Sequence, residues 1–172
     1  MKRRIGILTA GGDCPGLNAC IRGVARASYS LFDTEIVGIQ DGYAGLIEGN
    51  YREMKQSDFS GILTLGGTIL GTRRTPFSMM RVIEDDQVDK VKAMKQTYKK
   101  AKLDCLVCLG GNGTHKTANL LSEEGLNIIG LPKTLSFGFV RPLSCPAWKK
   151  EIPCTVDPMK LPILMRLIPS AF

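Results

Sequence analysis

Apolar and polar positions alternate in two different rhythms along the first 131 residues. Lys2 to Thr9 is a short, nearly continuous apolar run of the kind that predicts a buried strand. A glycine-rich turn follows, and then Leu17, Ile21, Val24, Ser28 and Leu31 recur at helical spacing. Glu35 to Gln40 reads as a second strand, and Asp41 to Leu46, with two glycines, as a turn-rich connection. From Asp85 to Lys102, Val88, Val91, Met94, Tyr98 and Ala101 return every three or four residues, with acids early and lysines late as the helix dipole favours. Asp104 to Leu109 then predicts a strand, His115 to Glu124 a helix and Asn127 to Leu131 another strand. Strand and helix taking turns in this way imply an α/β fold with a doubly wound parallel sheet and right-handed crossovers.

The rhythm stops near Gly138. Six of the nine prolines and the single tryptophan, Trp148, lie beyond it, and none of the 19 glycines does. Prolines at 142, 146, 153, 158, 162 and 169 leave no room for a long helix or a central strand. The chain therefore divides into an α/β domain over 1–139 and a basic, proline-rich tail over 140–172 that is expected to be irregular. A length of 172 residues suits one domain, and 44% hydrophobic with 23% charged residues is ordinary for a soluble one. No apolar run reaches the roughly 18 residues of a membrane span, and the stretch after Met1 is too short for a secretory signal. The expectation is a cytoplasmic protein without a membrane partner.

Charge changes the picture little. The formal net charge is +7, but residues 133–172 contribute +4 of it and residues 1–132 only +3. There is no nucleic-acid motif and no basic stripe interleaved with aromatic residues, so a phosphorylated small molecule is a better partner than a polynucleotide. The six cysteines lack the close spacing of a secreted scaffold and are read as thiols. Cys105 and Cys108 form a C-x-x-C, but within a strand two positions three apart face opposite sides. His115 is the only histidine, which rules out a multi-histidine metal site and disfavours a histidine-based triad.

The chemistry is concentrated in three glycine-rich loops after strands or strand-like segments: Thr9 to Gly16, Gly66 to Arg74, and Gly110 to Thr114. Beyond the carboxyl ends of parallel strands, glycines let a ligand approach the backbone, and helix N-termini present unpaired N–H groups to anions. Phosphate is the natural guest. Turn-making alone accounts for any single glycine loop, but less well for three that converge on one sheet edge. None of them is a Walker A or a G-x-G-x-x-G dinucleotide loop.

The strings themselves are specific. Ile7 to Asp13 with Pro15 to Ala19, Gly66 to Thr72, Gly110 to Thr114 and Gly130 to Thr134, together with Asp41-Gly42-Tyr43 and Gly45-Leu46, resemble the ATP-dependent 6-phosphofructokinase family of bacterial type, nearly continuously over residues 1–134. That resemblance implies transfer of the ATP γ-phosphate to fructose 6-phosphate in glycolysis. It puts Gly11 against the ATP phosphates through its backbone, with Arg74 and Thr75 lining the nucleotide site. Gly111, Asn112, Gly113 and Thr114 become the second phosphate loop. Where this chain has Asn112, the family usually carries an aspartate that helps hold magnesium; the amide keeps an oxygen but not the charge a hard cation prefers. Arg22 and Arg26, four apart on the first helix, match arginines that bind a phosphorylated effector in a family homotetramer, so the allosteric role depends on a neighbouring subunit. Thr134 is the one substrate-loop residue that carries over.

After Pro132-Lys133-Thr134 the family continues Ile-Asp-Asn-Asp, whose first aspartate takes the proton from the attacking sugar hydroxyl. This chain reads Leu135-Ser136-Phe137-Gly138-Phe139, echoing a family stretch slightly further on. Beyond Thr134 the only carboxylates are Glu151 and Asp157, neither in a motif that suits a general base. The chain is accordingly expected to be inactive. A deletion followed by a frameshift accounts for the lost loop and the changed composition together, and predicts a marginally stable domain with exposed core surface. The alternatives are a non-catalytic ATP-binding remnant or a partner of an intact homologue, and less favourably an NAD or lipid kinase, against which the first loop and Gly-Gly-Thr-x-Leu-Gly-Thr argue.

Overall fold

The computed structural model describes residues 2–81 and 89–133. Its strands are β1 (Arg3–Thr9), β2 (Thr34–Ile39), β3 (Tyr51–Met54), β4 (Cys105–Gly110) and β5 (Ile128–Pro132). Its helices are α1 (Leu17–Leu31), α2 (Tyr43–Glu48), α3 (Lys90–Lys100) and α4 (Asn112–Glu123). The strands form one sheet in the order β3-β2-β1-β4-β5. β1 pairs in parallel with both β2 and β4, and β4 pairs in parallel with β5.

Near-continuous apolar strands follow from burial on both faces. Ile7, Ile36, Val107 and Leu109 face one way and meet Leu17, Ile21 and Ala25 of α1. Leu8, Val37, Ile39, Leu106 and Cys108 face the other way, where they meet Tyr43 and Leu46 of α2, Met94 and Tyr98 of α3, and Leu120 and Leu121 of α4. Cys105 and Cys108 accordingly stand on opposite faces, and neither is in a disulfide. α3 begins at an N-cap, Asp89, whose carboxylate accepts from the Lys92 amide at 3.0 Å, and ends with Lys99 and Lys100 in its last turn. The earlier part of the predicted 85–102 helix, 85–88, falls outside the described residues, as do Thr134 and the whole 140–172 tail.

Four features differ from the pattern-based expectation. β3 was not anticipated, and it runs antiparallel to β2 at the sheet edge, so the sheet is mixed. Its sequence, Tyr51-Arg52-Glu53-Met54, buries only Met54 and carries too little alternation to signal a strand. The Asp41–Leu46 connection contains a six-residue helix, α2, held by burial of Tyr43, Ala44, Gly45 and Leu46. The Gly66–Arg74 loop follows no strand: short 3-10 turns at Gln56–Phe59 and Ile62–Thr64 lead into it. Finally, α4 starts at Asn112, three residues earlier than predicted, so the glycine loop after β4 is itself the first turn of the helix.

A candidate phosphate site at the strand ends

β1 lies between β2 and β4, and the chain leaves it through α1 toward one side before crossing back to β4 on the other. Such a reversal opens a crevice at the carboxyl ends of the two diverging strands. The predicted loops meet there. Gly11, immediately past β1, has φ 90°, a conformation that strains any residue with a side chain. A methyl group built on it would stand 3.7 Å from Lys133 Nζ and 3.9 Å from Thr114 Oγ1, so the ends of the β4 and β5 connections flank its backbone.

Neutral polar groups, most of them buried, hold the loops together. Thr72 Oγ1 donates to the Gly11 carbonyl at 2.6 Å. Thr9 Oγ1 donates to the Gly71 carbonyl at 2.7 Å and lies 2.9 Å from Thr68 Oγ1. Asn18, 1% exposed on α1, donates through Nδ2 to the Leu65 carbonyl at 3.2 Å and accepts at Oδ1 from the Ile69 amide at 2.8 Å. The Asn18 amide also reaches the Gly67 carbonyl at 3.2 Å. On the other side Tyr43 Oη donates to the Thr114 carbonyl at 2.8 Å. Burial pushes the Tyr43 hydroxyl well above its usual range, and pushes the neighbouring Cys108 thiol up to about 12, so both stay neutral.

Two carboxylates stand among the loops, Asp13 beside Gly67 and Asp41 beside Gly71, while around Gly11 and the start of α4 the groups left over are positive. α4 has Gly111 as its N-cap, no side-chain cap and no acid in its first turn, so the amides at its start lack an anionic partner. Asn112 and Gly113 at that start are exposed. Lys133 anchors its backbone on the Gly110 carbonyl at 2.8 Å and turns its ammonium onto the Gly12 carbonyl. The arrangement therefore offers backbone amides and a lysine to a phosphate group.

Of the predicted residues, Gly11, Gly111, Asn112, Gly113 and Thr114 come together here. Arg74 and Thr75 lie just past the anchored Thr72; the Arg74 side chain is exposed, with no hydrogen bond or ion pair among the described residues. Arg22 and Arg26 sit apart on the outward side of α1, whose buried side carries Ile21 and Ala25. For magnesium the donor set is sparse. Asn112 offers one neutral oxygen, and the described residues contain no cluster of three metal-ligating side chains. His115 serves packing: burial lowers its pKa, and the imidazole lies so close to β5 that a methyl group on Gly130 would stand 2.6 Å from Nδ1. Lys133 was overlooked as a functional residue, although a lysine directly after a strand that ends in Gly-Leu-Pro was a usable signal. Asn18 and Thr9 gave none, because their partners lie 47 to 62 residues away.

Comparison with known proteins adds the lineage. The family model described as Phosphofructokinase matches residues 4–139. The chain belongs to the phosphofructokinase family. It is 58% identical over 136 residues to the ATP-dependent 6-phosphofructokinase of Spirochaeta thermophila, covering 77% of this chain and 37% of that protein. It is 48% identical over 135 residues to the one from Propionibacterium freudenreichii, covering 78% and 36%. The phosphofructokinase of Pichia pastoris in the T-state superimposes with a TM-score of 0.69 at 30% identity, over 78% of this chain and 15% of that one. A pyrophosphate-dependent phosphofructokinase from Marinobacter aquaeolei shares the fold at 15% identity and a TM-score of 0.61, over 77% and 33%. The chain thus spans a little over a third of the length of these bacterial ATP-dependent relatives. Among the described residues no helix is long and apolar enough to cross a membrane.

Proposed function

We propose that this chain binds ATP through the three glycine loops and, as it stands, does not transfer the γ-phosphate to fructose 6-phosphate. The observation that carries the binding half is the convergence of Gly11, the open first turn of α4 and Lys133 at the ends of β1, β4 and β5. The family and the names of its ATP-dependent relatives supply the nucleotide. In this reading Gly11 admits the phosphates, the amides at 112–114 and the Lys133 ammonium offset their charge, and Arg74 with Thr75 borders the nucleotide. Asn112 would offer a magnesium ion that accompanies the phosphates one neutral side-chain oxygen. Arg22 and Arg26 would take a phosphorylated effector only within an assembly.

Phosphoryl transfer relies on positioning and charge neutralisation, but in this family resemblance the acceptor hydroxyl still gives its proton to an aspartate. Residues 134–139 contain no carboxylate, so that proton has no acceptor there. The test is calorimetric titration with ATP beside a coupled assay with fructose 6-phosphate, in cytoplasm-like buffer containing magnesium. Binding without turnover is expected. Turnover would overturn the inactivity, and a folded chain that fails to bind ATP would overturn the reading as a whole.

A further inference from the structure

The first glycine loop does not hold its own shape. Gly11 and Gly12 are consecutive glycines, free of the steric limits that restrict other residues. Across Gly11, Gly12 and Asp13 the chain makes no backbone–backbone hydrogen bond among the described residues. The hold comes instead from side chains of three other segments, each on a carbonyl. Thr114 Oγ1 lies 3.5 Å from the Ala10 carbonyl oxygen, Thr72 Oγ1 donates to the Gly11 carbonyl at 2.6 Å, and the Lys133 ammonium donates to the Gly12 carbonyl.

The three holds differ once a phosphate arrives. The first is at the outer limit of a hydrogen bond. The third comes from the cation that the ATP reading assigns to the ligand, so a bound phosphate competes with Gly12 for it. Thr72 is neutral and outside that competition. It is also fixed from its N-terminal side: the Gly71 carbonyl accepts from Thr9 Oγ1 at 2.7 Å, the Leu70 carbonyl accepts from the Asp41 amide at 2.9 Å, and the Leu70 side chain is 0% exposed. β1, the end of β2 and the core thus set this hydroxyl in place. In a planar trans peptide the N–H points opposite to the C=O, so a donor that holds the Gly11 carbonyl also fixes the direction of the Gly12 amide. That amide has no acceptor among the described residues.

We propose that Thr72 is a positioning residue for phosphate binding: by holding the Gly11 carbonyl, its hydroxyl presets the Gly11–Gly12 peptide, so the glycine pair need not be ordered when the ligand binds. The inference rests on the ATP reading above and adds that the second glycine loop acts on the phosphates through the first loop.

The experiment is calorimetric titration of ATP, and separately of inorganic tripolyphosphate, in buffer containing magnesium, into the wild-type chain, Thr72→Val, Thr72→Ser and Ser28→Ala. Thr72→Val keeps the shape of the side chain and removes the donor, whereas Thr72→Ser keeps the donor. Ser28→Ala is the stability control, removing a hydroxyl that donates to the Val24 carbonyl at 2.7 Å on α1, away from the loops. Thr72→Val should weaken both ligands about tenfold, and Thr72→Ser should restore both. Ser28→Ala should bind both like the wild type despite a comparable drop in urea midpoint. In the isotope-labelled wild-type chain the Gly12 amide resonance should move on saturation with tripolyphosphate. Wild-type affinity in Thr72→Val, a loss confined to ATP, a loss that Ser28→Ala reproduces or Thr72→Ser does not reverse, or an unmoved Gly12 amide would each overturn the positioning role while leaving the ATP reading intact. A wild-type chain that binds neither ligand would overturn that reading, and this inference with it.

Discussion

The two ends of the sheet are tied down by opposite kinds of chemistry. At the amino ends of the strands, charges hold: Arg4 bridges Glu35 at 2.9 Å and Glu53 at 2.7 Å, and the Arg4 amide donates to Asp104 at 2.7 Å. At the carboxyl ends, neutral groups hold: Thr9, Asn18, Thr72 and Tyr43 bind backbone carbonyls and amides of the loops. Both solutions satisfy the chain where it leaves the strands. The hydroxyls and amides order the glycine loops without neutralising Lys133 or the first turn of α4. Arg4 is matched by its own carboxylates, whereas Lys133 and the start of α4 remain available to an anion.

The comparison breaks most visibly at Asn18. Asn18→Ala removes a buried side chain that serves two carbonyls and one amide of the 65–69 loop. It should cost about 2 to 4 kcal/mol by urea denaturation, with faster hydrogen exchange in that loop. Next comes Lys133→Met, which tests the charge left over. ATP affinity should fall about tenfold, equivalent to about 1.4 kcal/mol, with little loss of stability.

At the other end, Arg4→Met should lower stability by only about 1 kcal/mol, since its carboxylate partners are 41% and 70% exposed and solvent-screened. It should leave ATP binding unchanged; a tenfold loss of affinity would break the division between the ends. A smaller effect is expected from pH. Burial holds the folded-state pKa of His115 below its ordinary value of 6.5, so the unfolded chain binds the extra proton first on acidification. The neutral imidazole adds no penalty above pH 6.5; stability declines as pH falls through that value toward the lower folded pKa. His115→Gln should flatten this part of the profile, read from urea midpoints at several pH values. The smallest change is predicted for Leu63→Ser with Leu65→Ser, at 56% and 54% exposure. It should shift stability by less than about 0.5 kcal/mol and reduce aggregation, measured by light scattering.

The strands β1, β2, β4 and β5 were legible because strands buried on both faces leave apolar runs, and α1 and α3 because one-sided burial leaves a helical period. β3 and α2 were not. Four residues with one buried side chain, and a six-residue helix stabilised by Tyr43 and Leu46 docking into the core, carry too few periods to be read locally. The glycine strings announced the phosphate site, and the start of α4 was misjudged only because Gly111 replaces the polar side chain that usually marks an N-cap.

By itself, then, the sequence determined the α/β class, the lineage, the positions where backbone lies bare to a ligand, and the absence of a carboxylate at 134–139. These are properties of residue type and of spacing within a few residues, where propensity and periodicity act. Only the tertiary structure decided that the three loops meet, that Asn18 and Thr72 bind them together, and that Lys133 comes to Gly11 and Gly12. Those relations join groups from 51 to 121 positions apart, and it is the order of the strands that brings them within hydrogen-bonding range.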